Sequence, residues 1–180
     1  AATRPVGDGC VPDDLSDDAE AINQALAAAQ PGDKVLLPAG LLRLFTPLTP
    51  PSGVTLQGAG QEQTVLVFGG DKPHALVQMR GVSGVHVCHL TLDGGNNPLA
   101  TQGVVAGKCG ALSLHHLTIR NFTDTGTFGP HGILLSQTSD AVIRDNTISN
   151  IAPEDAWGAG IRVGDRSLRA VIERNVIDRT

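Results

Sequence analysis

Three segments of this 180-residue sequence collect side chains that can move protons or hold ions: DGGNNPLATQ (residues 93–102), RNFTDTGTFGPH (residues 120–131) and SNIAPEDAWGA (residues 149–159). Asp93, Asn96, Asn97, Asp124, His131, Glu154, Asp155 and Trp157 lie on them, and Lys108, Arg162 and Asp165 lie close by in sequence. Two carboxylates held apart can act as general acid and general base. A cation such as Arg162 or Lys108 can neutralise an acidic group while a base such as His131 takes a neighbouring proton. The oxygens of Asp93, Asn96, Asn97, Asp124 and Asp155 are of the kind that binds Ca2+. A further set, His89, His116 and Asp145, recurs at one position of a repeat and could ligate a divalent metal. The simpler reading of that set is a row of solvent-facing corner residues.

These segments interrupt a repeat. GVHVCHLTLD (residues 84–93), ALSLHHLTIR (111–120), AVIRDNTISN (141–150) and AVIERNVIDR (170–179) share one phrase. Its inward positions are Val85, Val87, Leu90, Leu92; Leu112, Leu114, Leu117, Ile119; Ala141, Ile143, Asn146, Ile148; and Ala170, Ile172, Asn175, Ile177. Spacing within each set is two, three, two, and the sets step by 27, 29 and 29 residues. Period-two alternation with a one-residue slip reads as two short strands joined at a corner. A third strand precedes each phrase, at residues 77–79, 104–106, 133–135 and 161–163. Short strands repeating at a fixed period describe a coil whose turns stack at about 4.8 Å. Leu90 then stacks on Leu117, and Asn146 on Asn175. Asn at the corner is expected to take a left-handed backbone and form a side-chain ladder.

The start of the chain differs. Residues 16–33, SDDAEAINQALAAAQPGD, predict a helix with a Ser or Asp N-cap and Ala21, Ile22, Ala25 and Leu26 on one face. Pro31-Gly32 ends it, and KVLLPAG and GVTLQGAG follow as strand and turn. Such a helix would cover the open end of the first coil. The expected organisation is one domain: residues 1–33 an N-terminal arm and capping helix, and 34–180 stacked coils that continue, or are capped by another chain, beyond residue 180.

Composition agrees with thin regular layers: 22 Gly, four Phe, one Trp and no Tyr. The net charge of −5 argues against nucleic acid or an anionic membrane as partner. No apolar run is long enough to span a bilayer. Three cysteines without metal-finger spacing read as buried thiols.

The pieces DDLSDDAEAINQALAAAQPGDKVLLPAG and GVTLQGAG, with repeats ending in HLTLDGG, HLTIRN, DNTISN and RNVIDR, resemble the pectate-lyase-like superfamily over nearly the whole chain. The resemblance implies an all-β fold: a single-stranded right-handed parallel β-helix, or solenoid, with an N-terminal capping helix. It also implies a polysaccharide partner in a groove along the first-strand sheet, walled by the loops that precede that sheet. Against such a ligand, Asp124, His131, Asp155 and Arg162 are the candidate catalytic residues. Trp157, Asn97, Lys108 and Glu154 are the candidate binding residues, and Asp93 with Asp124 could hold calcium. No cofactor is required by either chemistry considered, a polysaccharide lyase or a glycoside hydrolase. The alternatives are a non-catalytic carbohydrate-binding or adhesin-like coil, or a structural solenoid that self-associates through its C-terminal coil. A secreted or cell-surface location is expected.

Overall fold

The computed structural model of the chain describes residues 1–123, 129–152, 154 and 157–180. The chain opens with β1 (Thr3–Pro5), α1 (Ala19–Ala28), β2 (Lys34–Leu36), β3 (Gly40–Leu44), β4 (Thr55–Gln57) and β5 (Thr64–Phe68). It continues through β6 (Val77–Arg80), β7 (His86–Asp93), β8 (Gln102–Gly107), β9 (Ser113–Phe122) and β10 (His131–Ser136). The last elements are β11 (Val142–Arg144), β12 (Thr147–Ile151), β13 (Ala159–Gly164), β14 (Val171–Glu173) and β15 (Val176–Asp178). Each strand pairs in parallel with its copy one turn away. The result is a right-handed parallel β-helix with a single short helix. Strands β6, β8, β10 and β13 form a four-stranded first sheet; the other strands form an 11-stranded sheet that bends at its corners.

Register follows the repeat. Leu90 lies opposite Leu117, and Leu92 opposite Ile119. The stacked positions Val87, Leu90, Leu92, Leu114, Leu117, Ile119, Ile143 and Ile148 are fully buried. Burying one such side chain contributes about 1.5–3 kcal/mol. A lone turn would leave half of each exposed, which is why the phrase must be repeated.

The corner between second and third strands corrects one expectation. The left-handed residues are His89, His116, Asp145 and Arg174, with φ of 57°, 51°, 55° and 52°. The asparagine follows that residue, and its amide bridges backbone groups of adjacent turns. Left-handed backbone costs a non-glycine residue roughly 1–2 kcal/mol. Here neighbours along the stack compensate: the His89 and His116 rings lie 4.8 Å apart and nearly parallel, and Arg174 pairs with Asp145 at 2.9 Å.

The helix is shorter than the segment 16–33 read from the sequence: residues 16–18 precede its first turn and it ends at Ala28, with Ala29 extended at the C-cap. Asp18 stands at the N-cap but makes no side-chain cap bond. Its carboxylate instead accepts from the backbone N–H groups of Val11 (2.9 Å) and Arg43 (2.8 Å), tying arm to β3. Ala19, Ile22 and Leu26 enter the same apolar core as the coil, with Ala25 packed against it; Ala21, expected on that face, is only half-buried. Cys88 and Cys109 are buried free thiols and Cys10 is half-buried. Among the described residues no helix is long and apolar enough to cross a membrane.

Candidate functional site

On the outer face of the first-strand sheet, alternation within each strand turns one residue in two away from the core. Val77, Met79, Val104, Ala106, Ile133 and Leu135 are buried, and the residues between them are not. Pairing then aligns Gln78, Val105, Leu134 and Arg162 in one row across the sheet, and Arg80, Gly107, Ser136 and Gly164 in a second. Beside them the corner residues Lys108, Gln137 and Asp165 take left-handed backbone, with φ of 55°, 47° and 47°. These rows line a groove of about 350 Å³. Four strands at the parallel spacing give it a length of about 14 Å.

The groove is aliphatic at its centre, with Val105 and Leu134, and charged at its margins. Three cations (Arg80, Lys108, Arg162) line it, and among the described lining residues Asp165 is the one carboxylate. This local positive excess sits on a chain of net charge −5.

Arg162 and Lys108 therefore stand where the sequence reading put them, exposed on the first-strand face. His131 does not. It has the parity of Ile133 and Leu135 and is 0% exposed, so it lies beneath the groove surface. β10 begins at His131, and the alternation along it turns that position inward. Asp124 and Asp155 lie outside the described residues. Trp157 is 62% exposed, two residues before β13, and Glu154 is exposed on the same loop. About 16 Å of β13 separates Trp157 from Asp165, so the two flank opposite edges of the sheet. Asn97 serves its own turn: its Oδ1 accepts from Leu99 N–H at 2.9 Å and its carbonyl from Ala100 N–H at 3.0 Å.

Asp93 does not offer calcium an open ligand set. Its oxygens accept from Arg120 Nε (2.9 Å), Asn121 Nδ2 (3.1 and 3.2 Å) and Gly95 N–H (2.8 Å). Arg120 also reaches Glu62 at 3.1 Å, and its hydrogen bond to Asp93 pushes its own pKa further up. A guanidinium thus holds the place a cation would take. The column His89, His116, Asp145 is likewise divided: Asp145 pairs with Arg174 and Arg144, which leaves the two imidazoles stacked on each other.

Arg80, Gln78, Ser136 and Gln137 were not singled out from sequence. Their signal was present: Gln78 is the middle residue of the strand read at 77–79, Arg80 and Ser136 directly follow the strands read at 77–79 and 133–135, and Gln137 lies one repeat from Lys108. A column of glycines was also missed. Gly103, Gly132 and Gly160 open three successive first strands, and a Cβ on Gly132 would stand 2.5 Å from the Gly160 carbonyl oxygen.

No protein among the curated sequences matches the chain. Solved structures do. The ORF18 protein of Geobacillus virus E2 superposes with a TM-score of 0.73 at 18% identity, over 99% of this chain and 39% of that one. An alginate lyase from Paenibacillus sp. str. FPU-7 superposes with a TM-score of 0.69 at 22% identity, over 98% of this chain and 58% of that one. An iota-carrageenase complexed to iota-carrageenan fragments gives 0.74 at 16% identity, over 96% and 41%. The chain thus spans about two fifths to three fifths of these proteins' length, and at such identities the likeness is one of fold. The family model for rhamnogalacturonase A/epimerase, pectate lyase-like proteins matches residues 6–177, and the chain belongs to that family.

Proposed function

We propose that the groove on the first-strand sheet binds an anionic polysaccharide. The observation that carries this reading is the charge of the groove: Arg80, Lys108 and Arg162 gathered along it on an otherwise acidic chain. Guanidinium and ammonium groups bind carboxylate or sulfate through charge-assisted hydrogen bonds. Val105 and Leu134 offer an apolar floor to the C–H face of a sugar ring, and Gln78, Ser136 and Gln137 offer hydrogen bonds to hydroxyls. Two of the similar structures are an alginate lyase and an iota-carrageenase complexed to iota-carrageenan fragments. Such a ligand places the protein's work outside the cell or at its surface.

Of the two reactions considered, the groove favours elimination. Hydrolysis asks for two carboxylates across the scissile bond, whereas the groups that distinguish this groove are its cations, Arg80, Lys108 and Arg162. Elimination asks for a cation to neutralise the uronate carboxylate, which Arg162 or Lys108 supplies, and a base to take the C5 proton. The C4–O bond then breaks, a C4–C5 double bond forms, and the departing oxygen takes up a proton. Asp124 and Asp155 remain candidates for that base.

A panel of uronans, sulfated glycans and neutral glycans tests both statements. Affinity electrophoresis is expected to show retardation by the anionic members, weakened in Arg162→Ala. Equal retardation by neutral glycans would overturn the charge argument. Ultraviolet absorbance of an unsaturated uronide would mark elimination. New reducing ends without that absorbance would mark hydrolysis, and retardation with neither signal a binding coil.

A further inference from the structure

The 11-stranded sheet carries a second cluster, on a different face from the groove. Cys88 ends the second-strand part of β7, His89 is the left-handed corner after it, and His115 of β9 pairs with Cys88 one turn along. We propose that Cys88, His89 and His115 form a binding site for a thiophilic transition-metal ion of the Zn2+ type.

One ligand atom from each residue lies within 4.8 Å of the other two. In a tetrahedral zinc site the usual bond lengths put ligand atoms about 3.3–3.6 Å apart, so closure needs side-chain shifts of roughly an ångström. Two further observations point to a ligand. His89 Nδ1 is buried and has no hydrogen-bond partner, a state that buried polar atoms rarely keep. Cys88 is buried as a free thiol whose sulfur has only a distant contact, 3.9 Å, with Gln57 Oε1. Both rings are held in place by His116, which stacks on His89 at 4.8 Å and hydrogen-bonds His115 Nδ1 to Nδ1 at 2.9 Å. Ring-fixing partners of this kind orient metal ligands.

The surroundings select the ion. Among the described residues no carboxylate joins this cluster, which disfavours a hard cation, whereas a thiolate suits a softer one. On binding, the Cys88 thiol gives its proton to solvent and the imidazoles bind as neutral ligands. A water from solvent completes four-coordination.

The test is titration of the full chain with Co2+ and Zn2+. A single equivalent of Co2+ is expected to give the thiolate-to-cobalt charge-transfer band and tetrahedral visible bands, and excess Zn2+ to bleach them. Cys88→Ala should abolish the charge-transfer band. His89→Gly, which suits the φ of 57°, should keep the fold and weaken binding at least tenfold. Zn2+ should raise the Tm of the parent chain and not that of His89→Gly. Binding that survives both substitutions would be surface histidine coordination and would overturn the proposal, as would the absence of a charge-transfer band.

Discussion

Asn146 and Asn175 sit one turn apart with Nδ2 of the first donating to Oδ1 of the second at 3.0 Å. Each also donates to a backbone carbonyl of the preceding turn: Asn146 to Leu114 at 3.1 Å, Asn175 to Ile143 at 2.9 Å. Asn146 Oδ1 in turn accepts from the buried Leu117 N–H at 2.9 Å. The ladder satisfies backbone groups that the corner removes from regular pairing. In the two turns before it, Leu90 and Leu117 fill the same column with carbon.

Asn146→Ala is therefore expected to leave two backbone groups without partners, at a cost of about 2–4 kcal/mol. Asn146→Leu restores the volume found at Leu117 but not the hydrogen bonds. It should recover only part of the loss. Urea unfolding of both variants checks this; full recovery in the leucine variant would mean that volume, not bonding, fixes the column.

The glycine column makes a sharper steric claim. A methyl at Gly132 meets the Gly160 carbonyl at 2.5 Å and Ile148 Cγ2 at 3.1 Å. Backbone can yield only by spreading the turns, so Gly132→Ala should cost about 1–3 kcal/mol. Gly107, in the same sheet but with open space around it, is the control, and Gly107→Ala should leave the Tm unchanged.

Acid should weaken the C-terminal turns. The hydrogen bond from Arg174, then that from Arg144, holds the Asp145 carboxyl down at about 2. Its ordinary unfolded value is about 3.9. A depressed carboxylate stabilises the fold above the unfolded value and loses that contribution as pH falls through the folded one. The loss should fall between about pH 4 and pH 2, and Asp145→Asn should flatten that part of a stability-against-pH curve. An unchanged curve would mean that the pair forms equally in the unfolded chain.

What could be read from the sequence was whatever the repeat encodes. The inward columns, the first-strand positions 77–79 to 161–163 and the pairing of Leu90 with Leu117 all follow from spacing, because stacking forces one register. The left-handed corner was misplaced by one residue, since Asn is the usual left-handed residue, whereas here the cost falls on His89 and Asp145 and is compensated along the stack. The helix was read with a Ser or Asp N-cap, and Asp18 stands there; that its carboxylate bonds instead to β3, across 25 residues of sequence, is a contact that no local pattern reports. In the groove, Arg162 was legible from alternation and Lys108 from its place just after a first strand. His131 was not, because its burial depends on where β10 begins. The cysteine of the metal cluster was hidden for a similar reason: Cys88 and His115 are 27 residues apart and meet only once the register is fixed.

Charge in the groove should be additive and salt-sensitive. Arg80, Lys108 and Arg162 lie on different strands or corners, so each alanine substitution should weaken binding of an anionic glycan about 5- to 10-fold, roughly 1–1.4 kcal/mol. Raising salt should weaken the parent chain more than the double variant Lys108→Ala/Arg162→Ala, since exposed charges are screened beyond about 10 Å at 0.1 M. Affinity electrophoresis at two ionic strengths decides it. A salt response identical in both proteins would move the binding site elsewhere.

Trp157 reports on the other edge of the same sheet. It is the one tryptophan in the chain, so intrinsic emission belongs to it alone. At 62% exposure it is open to a ligand that reaches this edge. If a bound glycan crosses from the Lys108 edge to the loop before β13, its ring should cover the indole, shift the emission to the blue and lose about tenfold in affinity on Trp157→Ala, or ~1.4 kcal/mol. If electrophoresis shows retardation while the emission stays unmoved, the glycan runs along the axis beside Lys108, Gln137 and Asp165 and never reaches the loop edge.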